Sequence, residues 1–394
     1  MNRLPILAAS IALTTFALAC GDEAGSTGAE PTPAEPCTQA DADACRVDQR
    51  ACRLEADAPT CFACDPGSYV ERDGACAPIG GEVLHHEFTE FTTGPGEEVL
   101  GLCQSWTLGN ETELWINAVE LDQTEASHHS NWTFVPDERF DGPDGVWPCE
   151  ERGYDQLTAA VAGGVLYAQS TQASHEVQKF PGGAAIRIPP RARIIGDVHL
   201  LNTGKEPVTG RVALTLYAIE PSDVTVKLAP FHMTYDGLDI PPQSTSRFTG
   251  ECELAETLTK STGGPLALQL YYALPHTHAL GTRFFLEAVG GAYDGQALLD
   301  VTGFNGEARG RFYDPPLDLS DVTALRFGCE FQNPRAEPVG WGFGDQEMCE
   351  MLGFIASPVA FESRVSEAQD AGSDGSIATF TGPCATLVVP WKDK

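Results

Sequence analysis

The sequence predicts an all-β protein of sandwich type, built from many short strands. Three observations carry this. Runs at 114–119, 194–200, 211–218, 266–272 and 283–289 are apolar or alternate with a period near two, as half-buried strands do. Turn clusters such as Gly142-Pro143-Asp144-Gly145 and Pro181-Gly182-Gly183 separate such runs, in a chain of 394 residues with 40 glycines and 28 prolines. Amphipathic helical periodicity is scarce.

The N-terminus reads as an export signal. Arg3 precedes an apolar stretch over 4–18, then Ala19-Cys20. The stretch is too short for a stable membrane span, and no later stretch is long and apolar enough. Ala17-Leu18-Ala19-Cys20 resembles a bacterial lipoprotein signal, in which the cysteine is lipidated and becomes the first mature residue. Such signals usually carry Leu three residues before the cysteine, and here it stands two before. Residues 21–36 are small, acidic and Pro-rich, as a flexible tether would be. The expected location is therefore the cell envelope, with membrane contact through the lipid alone.

Charge narrows the partners. With 56 acidic and 24 basic residues the net charge is −32, which argues against nucleic acid or anionic lipid. Of 13 cysteines, removing Cys20 leaves an even number, most simply read as six disulfides in an exported chain. Cys37, Cys45, Cys52, Cys61, Cys64 and Cys76 are dense and mark a small module at 37–80. It has too few apolar residues for a core, so disulfides must hold it. The run from Cys61 to Cys76 resembles EGF-type extracellular repeats, and a zinc reading of Cys61-x-x-Cys64 competes weakly with it. Sequence leaves the module's connectivity open. Cys103, Cys149, Cys252, Cys329, Cys349 and Cys384 are sparse. The chain thus divides into 1–20 signal, 21–36 linker, 37–80 module, and two β domains at 81–225 and 226–394.

Two clusters carry the chemistry. His276-Thr277-His278 follows the run at 266–272, and residues i and i+2 of a strand share a face. Both imidazoles could share a metal while Thr277 points away. The second cluster is His128-His129 with His199 downstream. Adjacent residues of a regular strand point to opposite faces, so this doublet can serve one metal only at a strand end, a bulge or an edge. Met348 adds a thioether, a ligand suited to Cu(I) and poor for calcium, magnesium or zinc.

These residues resemble the copper type II, ascorbate-dependent monooxygenases, the family of peptidylglycine α-hydroxylating and dopamine β-monooxygenases. The match is carried by Ser127-His128-His129, Val198-His199, His276-Thr277-His278-Ala279-Leu280-Gly281 and Glu347-Met348-Cys349, in that order, with roughly seventy residues between successive elements. It covers about 85–394 and is specific at the ligands, weaker between them. The resemblance implies two tandem jelly-roll β-sandwiches, each contributing one copper. His128, His129 and His199 would hold an electron-storing copper. His276, His278 and Met348 would hold the copper facing O2 and substrate, across a solvent-filled gap. It also implies the disulfides Cys103–Cys149, Cys329–Cys349 and, by remainder, Cys252–Cys384. The implied activity is hydroxylation of a C–H bond in a small organic substrate, with O2 and a one-electron reductant such as ascorbate.

The substrate residues depart from the family. Leu274 stands where the peptide-hydroxylating enzyme has Arg, and Leu352 where members often have Tyr. Both changes make the pocket less polar and argue against a glycine-extended peptide. No residue that would read a phenol or an amine stands out. Asp197, two before His199, is a candidate for orienting a ligand or water. His85-His86 reads as a surface or strand-edge pair, and His175 and His232 as structural. Asn110 and Asn131 match glycosylation acceptors, which mean little behind a bacterial signal. The competing functions are a non-catalytic copper-binding lipoprotein and an adhesive one. A hydrolase would need convergent carboxylates, and none stand out.

Overall fold

The computed structural model describes residues 36–124, 127–170, 173–302 and 309–391. The signal stretch, Cys20 and most of the tether lie outside the described residues. The fold is all-β: a small disulfide-rich module followed by two jelly-roll sandwiches.

The module begins with the helix Gln39–Arg46, whose first turn is capped by the Thr38 hydroxyl accepting from the Asp41 N–H. The hairpins Ala51–Glu55/Ala58–Phe62 and Ser68–Val70/Cys76–Pro78 follow. Its disulfides are Cys37–Cys52, Cys45–Cys61 and Cys64–Cys76. Cys61 and Cys64 are both oxidised, which corrects the zinc reading of that pair. The module lies on the outer face of the first sandwich. There Gly67 N–H donates to Glu120 Oε1 at 3.0 Å and Val177 N–H to Gln49 Oε1 at 2.8 Å.

The first sandwich has one sheet in the order Gly145–Pro148, Glu98–Thr107, Ala192–Leu201, Ser127–Pro136, Gly164–Ala168. The facing sheet centres on Leu114–Gln123, paired with Val212–Ala218, His175–Lys179 and Ala184–Ile188. Ile116, Trp132, Phe134, Ile186, Ile194 and Leu214 fill the space between, each at most 1% exposed.

The second sandwich repeats the plan. Val359–Val365, Val226–Tyr235, Glu350–Ala356, Gln269–His276 and Arg311–Asp318 form one sheet. Ala297–Thr302, Gly281–Val289, Ala324–Asn333 and Ser244–Glu253 form the other. The long strand Ile377–Pro390 pairs with Ser244–Glu253 through its first half and with Val359–Val365 through its second, closing one corner. The three remaining disulfides are Cys103–Cys149, Cys252–Cys384 and Cys329–Cys349. Six disulfides among the described residues mark an exported protein, because thiols stay reduced in the cytosol.

The sandwiches share an apolar seam. Tyr271, Tyr272, Leu274 and Phe354 of the second join the core cluster of the first, while Leu270, Met351 and Ile355 point into the second core. Strand Gln269–His276 is therefore covered on both faces, which explains its near-continuous apolar run. Its span sits a few residues later than the periodicity at 266–272 suggests.

Candidate metal centre

His129 and His199 face each other across adjacent antiparallel strands. The pairing then shifts: Leu200 opposes Ser127, leaving His128 as the extra residue of a β-bulge. On a regular strand His128 would point away from His129. The bulge turns it to the same side. The three rings form a triangle with centroids 5.0 Å (His128–His129), 4.7 Å (His128–His199) and 4.9 Å (His129–His199) apart. One ligand nitrogen from each lies within 4.8 Å of the others. A second irregularity faces His199 from strand Glu98–Thr107, where Gly101 has φ +68° and the register slips between Val198 and Leu200. A residue with a Cβ is strained at that angle.

His276 is the last residue of its strand, and His278 lies just beyond the strand end. Their ring centroids are 5.2 Å apart. The chain turns sharply after them. A Cβ on Gly281 would come within 2.1 Å of Thr277 Oγ1, so only glycine lets the turn close. Glu347, 1% exposed, holds this loop: Oε2 accepts the His278 N–H at 2.9 Å and Oε1 the Leu280 N–H at 2.7 Å. Burial raises its carboxyl above the usual range, and the backbone donors oppose that rise. Met348, the next residue, is 5% exposed and is followed by the Cys329–Cys349 disulfide. His276 pairs with Glu350 across the sheet, two residues past Met348 in sequence.

The two sets are not separated by solvent. The rings of His129 and His276, from different sandwiches, have centroids 5.2 Å apart. This corrects the expected solvent-filled gap. The cause is the apolar seam, which draws the sheet carrying His276 against the first sandwich. Five imidazoles thus form one continuous cluster.

Hydrogen bonds to acceptor-only groups fix which nitrogen His278 and His199 can offer. His278 Nδ1 lies 2.8 Å from the Gln346 carbonyl, so Nδ1 carries the proton and Nε2 keeps its lone pair. His199 Nε2 lies 2.8 Å from Glu98 Oε1, so His199 presents Nδ1 inward, 3.1 Å from His129 Nε2. His276 Nδ1 lies 2.9 Å from Ser170 Oγ, a residue of the first sandwich. Burial lowers His276 to about 4 and His129 well below the ordinary histidine value, with the neighbouring imidazoles adding to the effect. Burial also lowers His199, against the opposing pull of Glu98. Neutral imidazoles are what a metal requires. Neutral nitrogen donors suit transition metals such as copper better than calcium or magnesium, which take oxygen.

Glu98, Ser170 and Gln346 were not legible as site residues. Glu98 and Ser170 lie 101 and 106 positions from the rings they touch. Asp197, the expected orienting acid, instead accepts from Gln156 Nε2 at 2.9 Å, and the carboxylate on His199 is Glu98. His85 bonds Thr215, His86 stacks on Trp106, His175 bonds Asp122, and His232 lies 3.6 Å from Glu350. Leu274 is buried in the seam between the sandwiches.

No protein-family model matches the sequence, and no curated protein matches it. Solved structures similar to this chain include the major capsid protein P2 of bacteriophage PM2, at 10% identity and a TM-score of 0.27, covering 68% of this chain and 98% of that one. PBCV-1 VP54, fitted into a reconstruction of the virophage Sputnik, matches at 7% identity and a TM-score of 0.25, covering 70% and 94%. A putative secreted protein from Parabacteroides distasonis matches at 8% identity and a TM-score of 0.18, covering 73% and 92%. Likeness at this level carries no argument about function.

Proposed function

We propose that this chain is an exported, lipid-anchored copper monooxygenase that hydroxylates a C–H bond of a small organic substrate, using O2 and a one-electron reductant such as ascorbate. The observation that carries the reading is the convergence of His128, His129 and His199 through a bulge, in ring contact with His276. Two unequal donor sets side by side are what a two-electron oxidation by single-electron metals requires. His128, His129 and His199 would hold one copper, and His276, His278 and Met348 the other. Bound copper would supply the redox and O2 chemistry, which no side chain provides.

The protein's own part is positioning. Glu98, Ser170 and Gln346 orient His199, His276 and His278, and the acceptor-only Glu98 carboxylate and Gln346 carbonyl set the nitrogen that His199 and His278 offer. Glu347 ties the methionine segment to the His276–His278 loop. Cys20 would carry the lipid, with 21–36 as tether.

Copper analysis tests the reading. Purified protein loaded with copper and desalted is expected to hold close to two coppers per chain, and His128→Ala close to one. Ascorbate is expected to drive O2 uptake that rises with an added C–H donor. Two coppers without O2 uptake would favour the storage alternative, and no retained copper would end both.

A further inference from the structure

We propose a second metal site, for a divalent transition cation of the Zn2+ class, formed by Glu120, Asp122 and His175 beneath the disulfide-rich module. Glu120 and Asp122 are two apart on strand Leu114–Gln123 and share its outer face. His175 opens the neighbouring strand His175–Lys179 and pairs directly across from Asp122. Sheet register alone therefore sets three donors on one rigid surface. Their ligand atoms lie within 4.8 Å of one another, as the three imidazoles of the main centre do.

His175 lies between the two carboxylates. His175 Nδ1 is 2.8 Å from Asp122 Oδ1, and its Nε2 is 3.7 Å from Glu120 Oε1. The hydrogen bond to Asp122 raises the pKa of His175 and favours its charged form, against burial. A divalent cation would be matched in charge by two carboxylates and a neutral imidazole. Glu120 is 3% exposed. Its other partners are neutral: Gly67 N–H on Oε1 and the Tyr217 hydroxyl on Oε2. A tetrahedral zinc with bonds of about 2.0–2.2 Å holds its donors roughly 3.3 Å apart, so modest side-chain rotation suffices. Mixed imidazole and carboxylate donors favour zinc-like ions over calcium or magnesium.

The site explains what the module rests on. Gly67 belongs to the module, and its N–H bonds the same Glu120 that would bind the cation. Asp122 and His175 are partly exposed, so the ion and a water can enter. A loaded site would stiffen the contact between module and sandwich.

Equilibrium dialysis against Zn2+, followed by metal analysis, tests the assignment. The full chain carrying His128→Ala and His276→Ala, which disables the imidazole centre, is expected to retain one zinc. Adding Asp122→Asn or His175→Ala is expected to remove it. Zinc is expected to raise the unfolding temperature of the first variant and leave that of the Asp122→Asn form unchanged. The proposal is overturned if the first variant retains no zinc, or if the zinc survives Asp122→Asn. Asp122 is partly exposed and the change is isosteric, so this variant decides the matter even where His175→Ala fails to fold. The outcome is independent of whether the chain is an oxygenase.

Discussion

His276, a residue of the second sandwich, is held through Nδ1 by Ser170, a residue of the first, at 2.9 Å. The orientation of one donor set therefore depends on how the two sandwiches dock. Ser170→Ala is expected to lower copper affinity at the second set about 10-fold, in line with other changes to partners of metal-bound histidines. The first set should be spared. Competition titration with a copper chelator, read as two separate steps, checks this.

Met348 is the only thioether in the proposed centre. Met348→Ala is expected to keep close to two Cu(II) per chain, because imidazoles suffice for Cu(II), and to abolish ascorbate-driven turnover. Copper analysis with an electron paramagnetic resonance spectrum checks the first half, and O2 uptake the second. Full activity in this variant would remove the oxygenase reading.

Glu347 accepts two backbone N–H groups while buried, each bond to a charged acceptor contributing about 1.5–3 kcal/mol. Glu347→Gln replaces one acceptor by a donor facing an N–H. We expect roughly 2–4 kcal/mol of lost stability, and Cu(I) affinity about 10–100-fold weaker with Cu(II) binding at the first set unchanged. Urea unfolding and Cu(I) competition measure the two effects separately.

Acid should destabilise the metal-free protein through His276. Its folded value is lowered to about 4, so below the ordinary value of about 6.5 the unfolded chain binds the proton first. Stability is then lost as pH falls from about 6.5 towards 4, by up to about 3 kcal/mol from this ring. Urea unfolding between these pH values, compared with His276→Gln, isolates the contribution. An identical pH slope in the variant would refute it. Bound metal should remove most of the dependence, since a ligated nitrogen cannot take a proton.

Much of this molecule is written locally. Alternation in 211–218 and 283–289 specifies strands, and the structure has Val212–Ala218 and Gly281–Val289 there. Turn chemistry and the even cysteine count specify a disulfide-bonded β protein, because those signals depend only on neighbours and on compartment. The spacing of the histidine motifs singled out the residues that converge. The sequence could also say that His128 and His129 need an irregular strand to act together. It could not say that His128 is the bulged residue, since that depends on the register against Ala192–Leu201.

What tertiary structure decided lies wherever contact joins distant segments. The seam of Tyr271, Tyr272, Leu274 and Phe354 with the first core brings His129 against His276, where separated sets were expected. Glu98, Ser170 and Gln346 gain their roles only through folding, because a hydrogen bond reads position in space and leaves no periodic trace in the chain. Residue types and spacing determined which atoms could bind a metal. The docking of two sandwiches through buried apolar surface determined that these atoms form one cluster.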